Sequence, residues 1–125
     1  MDFKVALPIL GFDEIKSFNL EKVDDNFYTL KSDEVTFTLV NPFLLRNDYE
    51  FEISENEQNV LEINDKTEFL VLNIMIVKTP FENSTVNFAA PLIFNMDKHI
   101  LGQVILEKYN YGLTEPLNKY IKNGQ

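Results

Sequence analysis

A chain of 125 residues fits one domain of ordinary size, and its 45% apolar content, with eleven Phe and five Tyr, supplies the large side chains that a disordered segment lacks. Twenty acidic residues against eleven basic ones give a formal net charge of −9, which opposes binding to nucleic acid or an anionic membrane and steers a basic protein partner toward the surface. Cysteine is absent, so disulfides, thiolate metal sites and cysteine nucleophiles are excluded.

Residues 1–10 carry Asp2, Lys4 and Pro8 and lack the basic-then-apolar order of a secretory signal. The most apolar run, Phe69–Val77, falls short of the about 20 residues a membrane helix needs, so a cytoplasmic location is expected. Strand candidates begin with Phe3–Leu7 and Phe18–Val23. Phe27–Leu30 and Val35–Leu39 flank the turn-like Ser32-Asp33-Glu34 and read as an antiparallel hairpin. In it Val35, Phe37 and Leu39 face one way and Thr36 and Thr38 the other.

At Asn41-Pro42 the strand stops, because proline lacks a donor and biases the preceding residue toward an extended shape. Phe43, Leu44 and Leu45 then fall in a connection. From Asp48 the chain alternates: Tyr49, Phe51 and Ile53 on one face, Asp48, Glu50 and Glu52 on the other. That pattern predicts a strand over Glu50–Ile53 with an acidic face, serving as a solvated surface, a guarded edge or a docking stripe for a basic partner. Ser54-Glu55-Asn56-Glu57 has the form of a capping box and an acidic first turn that suits the helix dipole. It predicts a short helix with Val60 and Leu61 on its buried side, ending at Asn64-Asp65.

Phe69–Val77 is apolar on both faces and should lie centrally with both sides covered. Asn87 and Asn95 bracket an apolar stretch containing Phe88 and Pro91, and the proline predicts an edge or bulged strand. Pro91–Asn95 and Ile100–Lys108 are the last strand candidates, the latter also matching helical spacing. Thr114-Glu115-Pro116 ahead of Leu117, Tyr120 and Ile121 predicts a second short helix, residues 115–125 forming either a helix or a tail. Many short strands with one or two short helices make an all-β, mostly antiparallel single domain over 1–125, a barrel or a sandwich.

The chemistry is sparse. His99, the lone histidine, sits in a polar connection and reads as a surface turn residue. Four isolated glycines build no phosphate loop. Asp24-Asp25 and Asp33-Glu34 are adjacent acids in turn-like settings, which is poor geometry for a shared proton or metal. No catalytic residue, metal ligand or cofactor site is assigned. A small carboxylate-dependent hydrolase or carbohydrate-binding β-domain remains the alternative.

Six pieces carry a further signal: Leu10-Gly11-Phe12; Phe37-Thr38-Leu39-Val40-Asn41-Pro42; Asp48-Tyr49-Glu50; Asn73-Ile74-Met75-Ile76-Val77; Thr85 through Leu92, containing Asn87-Phe88-Ala89-Ala90-Pro91; and Gly102-Gln103-Val104-Ile105-Leu106. In that order they resemble the FliW family, with Phe88 standing where Leu is usual. The resemblance implies a compact β-barrel-like fold. It also implies a non-enzymatic cytoplasmic protein that binds newly made flagellin and the basic RNA-binding regulator CsrA. Release from flagellin would then free it to relieve CsrA repression of flagellin mRNA. The candidate partner-binding residues are Phe43, Leu44 and Leu45, as an apolar groove for flagellin, with Asp48, Tyr49, Glu50, Glu52, Asn87 and Phe88.

Overall fold

The computed structural model describes residues 1–121. Among these described residues, nine strands are joined through one hydrogen-bonded sheet: β1 Asp2–Leu7, β2 Ser17–Lys22, β3 Phe27–Lys31, β4 Thr36–Val40, β5 Phe69–Ile76, β6 Thr85–Val86, β7 Leu92–Asn95, β8 Ile100–Gln103 and β9 Glu115–Pro116. The order β4-β3-β2-β1-β8-β7-β5 closes on itself through a β4–β5 pairing, giving a seven-stranded barrel. All its pairings are antiparallel except β1–β8. The short β6 and β9 extend the sheet from the far end of β5.

The barrel has an interior core and an exterior one. Phe3, Phe18, Leu20, Leu30, Leu39, Leu72, Leu92, Phe94 and Leu101 fill the inside. Val40, Val71, Met75 and Ile93, from the same strands but of opposite parity, face outward and are covered by Tyr49, Leu61, Phe88, Val104, Leu106 and Leu117. Strand β5 is therefore buried on both faces, and its apolar run, interrupted only by Asn73, follows from that. At about 1.5–3 kcal/mol per buried large side chain, the outer layer contributes on the same scale as the barrel interior. The connections that form it are part of the fold, not decoration.

Several connections depart from expectation. Pro42 does not merely end β4: with Asn41 accepting from the Phe43 N–H at 3.0 Å, it starts a one-turn helix, α1, over Pro42–Leu45, as a proline at the first helical position allows. Glu50–Ile53 is not a strand; its alternation is real, but no strand lies beside it. The Ser54 helix forms with both halves of its capping box, as α2, Glu55–Val60. It ends at Val60, short of Asn64, and the chain turns at Glu62 with φ +56°; no residue of the helix is buried, Val60 is exposed, and only Leu61, its C-cap, reaches the core.

The 85–95 stretch is two strands. Leu92–Asn95 is interior, between β5 and β8, because Pro91 lies just outside it and no ladder donor is missing. Strand β8 ends at Gln103, so the 104–108 portion of the expected strand is irregular. Gly102 is required there, since a Cβ would come 2.7 Å from Leu7 Cβ and 2.9 Å from Leu61 Cδ2. The expected C-terminal helix is instead β9 followed by a 3-10 turn at Leu117–Lys119; residues 122–125 of that expectation lie outside the described residues.

Candidate functional site

The segment following α1 is organised by the chain's single arginine. Arg46 forms a two-toothed bond to Asp48, Nε to Oδ1 at 3.2 Å and Nη2 to Oδ2 at 3.1 Å, and its Nη1 lies 3.5 Å from Glu115 Oε1. The guanidinium sits 5.4, 5.0 and 5.5 Å from the ring centres of Phe88, Tyr111 and Tyr120. A flat, delocalised cation suits this place, bonding through its edge and stacking through its faces. The bond to Asp48 raises the Arg46 pKa further above its already high value, and the guanidinium in turn holds the Asp48 carboxyl below the usual carboxylate range. Tyr120 also donates to Glu115; burial, then that bond, push its hydroxyl up to about 12.

Tyrosines replace the missing neighbour of the acidic segment. The Tyr111 hydroxyl accepts from the Glu50 N–H at 3.2 Å and donates to the Glu50 carbonyl at 2.9 Å. The Tyr109 hydroxyl accepts from the Glu52 N–H at 2.8 Å. The two rings are stacked, 9° apart in plane and 5.7 Å between centres. Side-chain oxygens thus satisfy backbone groups that a ladder would otherwise pair.

Beneath lies the turn between β6 and β7. Asn87 Oδ1 accepts from the N–H groups of Ala89 and Ala90, both at 3.1 Å, an Asx turn that lets the chain swell out of register with β5. The swelling drives Phe88 to complete burial. The Tyr49 hydroxyl donates to the Phe88 carbonyl at 2.6 Å and accepts from Asn73 Nδ2 at 3.2 Å. Burial pushes the Tyr49 hydroxyl well above its ordinary value, so it stays a protonated donor. Gln103 ties the same turn to the first connection, its Oε1 accepting from the Leu10 N–H at 2.7 Å and its Nε2 donating to the Ala90 carbonyl at 3.2 Å.

The candidate residues fall into two layers. Phe43 and Leu44, 46% and 51% exposed, and the carboxylates of Asp48, Glu50 and Glu52 form the outer one. Tyr49 and Phe88 are buried, and Leu45 and Asn87 half-buried; these four shape the site from below and present little to a partner. Sequence reasoning passed over Arg46, Tyr109, Tyr111, Tyr120 and Glu115. A lone arginine between a helix and an acidic run, and a Tyr-x-Tyr pair, were visible signals, but only the fold brings residues 46 and 111 together.

The family model for FliW protein matches residues 2–117. This chain belongs to the FliW family. It is 49% identical over 129 aligned residues to flagellar assembly factor FliW 2 of Wolinella succinogenes, covering 98% of this chain and 94% of that one. It is 45% identical to flagellar assembly factor FliW of Sulfurimonas denitrificans, covering 98% and 99%, and 41% identical to that of Campylobacter lari, covering 98% of each. A crystal structure of the flagellar assembly factor FliW superposes with a TM-score of 0.87 at 29% identity, over 98% of this chain and 87% of that one.

FliW membership makes the chain a flagellar assembly factor and not an enzyme, which sets aside the hydrolase or carbohydrate-binding reading. Of the carboxylates weighed for it, Asp24 closes the β2–β3 turn, its Oδ1 accepting from the N–H groups of Asn26 and Phe27 at 2.8 and 2.9 Å. Among the described residues no three His, Asp or Glu side chains group as a metal site, and no helix is long and apolar enough to cross a membrane. His99 lies exposed in the β7–β8 turn, as a surface turn residue should. The segments that carried the FliW resemblance meet around one place: Asn73, the 87–91 turn and Gln103 all bond within it.

Proposed function

We propose that this chain works in the cytoplasm as a partner switch, binding newly made flagellin and, once freed from it, the basic regulator CsrA, so that repression of flagellin mRNA is lifted. The observation that carries this reading is the outer layer: exposed Phe43 and Leu44 on α1 beside the exposed carboxylates of Asp48, Glu50 and Glu52. Apolar side chains fit the amphipathic helical ends of flagellin. Exposed carboxylates on a chain of net charge −9 fit a basic dimer, quickening encounter and making affinity fall with salt. The relatives' shared name, flagellar assembly factor, supports the first partner more directly than the second.

The test is capture of partners by tagged protein from cell extract, with flagellar export open or blocked. Flagellin should dominate when export is blocked, and CsrA when it is open. Recovery of neither would end this reading.

A further inference from the structure

The acidic segment has one closed edge and one open edge. Glu50 and Glu52 turn their backbone groups to Tyr111 and Tyr109, while burial alternates along Tyr49, Glu50, Phe51, Glu52 and Ile53 as in an extended chain. In such a chain the N–H and C=O of successive residues address opposite edges. Phe51 therefore addresses the edge away from the tyrosines. Among the described residues, neither its N–H nor its C=O is hydrogen-bonded to the protein, and the Ile53 N–H is likewise unpaired. Native proteins rarely leave such groups unpaired away from water, so this edge faces solvent or a partner.

We propose that this open edge, at Phe51 and Ile53, takes up an extended segment of a basic protein as an added antiparallel strand. The inference rests on the basic-partner reading above and specifies how that partner is held. With Phe51 as a hydrogen-bonded pair, Glu50 and Glu52 fall at the non-hydrogen-bonded positions, where facing side chains approach most closely. A segment with Lys or Arg at alternate positions would set two cations against them. Among the described residues neither carboxylate is in an ion pair, so nothing has to be displaced. A second copy of this chain is disfavoured as occupant, because the same edge would then oppose carboxylate to carboxylate. The backbone supplies affinity and the alternate charges supply the choice of partner.

The probe is a capped seven-residue peptide alternating Lys and Thr, compared with the same peptide N-methylated at its Thr residues. Methylation keeps the charge and removes the donors. The full-length protein should bind the first peptide about tenfold or more tightly than the second, as two lost hydrogen bonds imply. Saturating peptide should slow amide exchange at Phe51 and Ile53 and leave Glu50 and Glu52, already bonded to tyrosines, nearly unchanged. Absence of binding, equal binding of both peptides, or unaltered exchange at Phe51 would overturn the proposal. Purified CsrA separates the two claims: CsrA that binds without protecting Phe51 refutes the added strand and leaves the partner reading intact. If CsrA fails to bind, that reading falls, and the peptide result still decides the edge.

Discussion

The Tyr111 hydroxyl both accepts from the N–H of Glu50 and donates to its carbonyl, at 3.2 and 2.9 Å, doing for one residue what a neighbouring strand would do. Tyr111→Phe removes both bonds but leaves the ring over Arg46. Water can reach the exposed Glu50, so the loss should be modest, about 1 kcal/mol, read as a lower urea midpoint. Amide exchange at Glu50 should quicken while exchange in β5 does not.

Arg46 is expected to be the costliest single loss in the site. Arg46→Ala leaves Asp48 and Glu115 without their cation and empties the space among Phe88, Tyr111 and Tyr120. The expected destabilisation is about 2–4 kcal/mol. Arg46→Lys should recover little, since an ammonium cannot make the forked bond or stack as a plane. Chemical denaturation of the two variants measures both effects.

Charge reversal should separate binding from folding. Glu50→Lys with Glu52→Lys changes two exposed carboxylates that hold no ion pair among the described residues, so stability should move by no more than about 0.5 kcal/mol. Affinity for CsrA should fall, and its salt dependence should flatten. Asp48→Lys places a cation against Arg46 and should weaken the fold as well, so it belongs in a separate variant. Unchanged affinity in the double variant across a salt series would show that other acids make the contact.

Alkaline pH should weaken the protein through the hydroxyls of buried Tyr49 and half-buried Tyr120. Tyr120 is pushed up to about 12 from its ordinary 10.0, and Tyr49 is pushed up further by burial. A folded-state pKa raised above the unfolded one means that the unfolded chain loses its proton first. The stability so gained is full below pH 10 and declines as pH rises through 10 toward 12. Urea midpoints at pH 8, 10 and 11 should fall in that order, and Tyr120→Phe should reduce the fall. At the acid end the sign reverses. Asp48 is held low by Arg46, so its contribution persists in mild acid and is lost as pH drops through its folded value.

Most of the barrel was legible because its strands obey simple rules. Thr36–Val40 alternates, and Phe69–Ile76 is apolar except at Asn73 because both of its faces are covered. The capping box at Ser54 formed as its residues require. What misled was alternation at Tyr49–Ile53: period two records which side chains are buried, not what pairs the backbone, and here the partners are hydroxyls 57 and 61 residues away. The expectation at Pro91 was half right: β7 is no edge, because the proline stands one residue outside it, but the register against β5 does shift across the 87–91 turn, as a bulge would require. The acidic outer layer was readable from spacing. The Arg46 cluster beneath was not, because α1, the 87–91 turn and β9 converge only in three dimensions.

On the proposed partner switch, flagellin and CsrA compete for this chain. The most direct test is a calorimetric titration of purified CsrA into the full-length protein, alone and after saturation with flagellin. CsrA should bind the free protein with an affinity that weakens with salt and is lost or much reduced when flagellin is already bound. Equal binding with and without flagellin, or no binding of CsrA at any salt concentration, would contradict it.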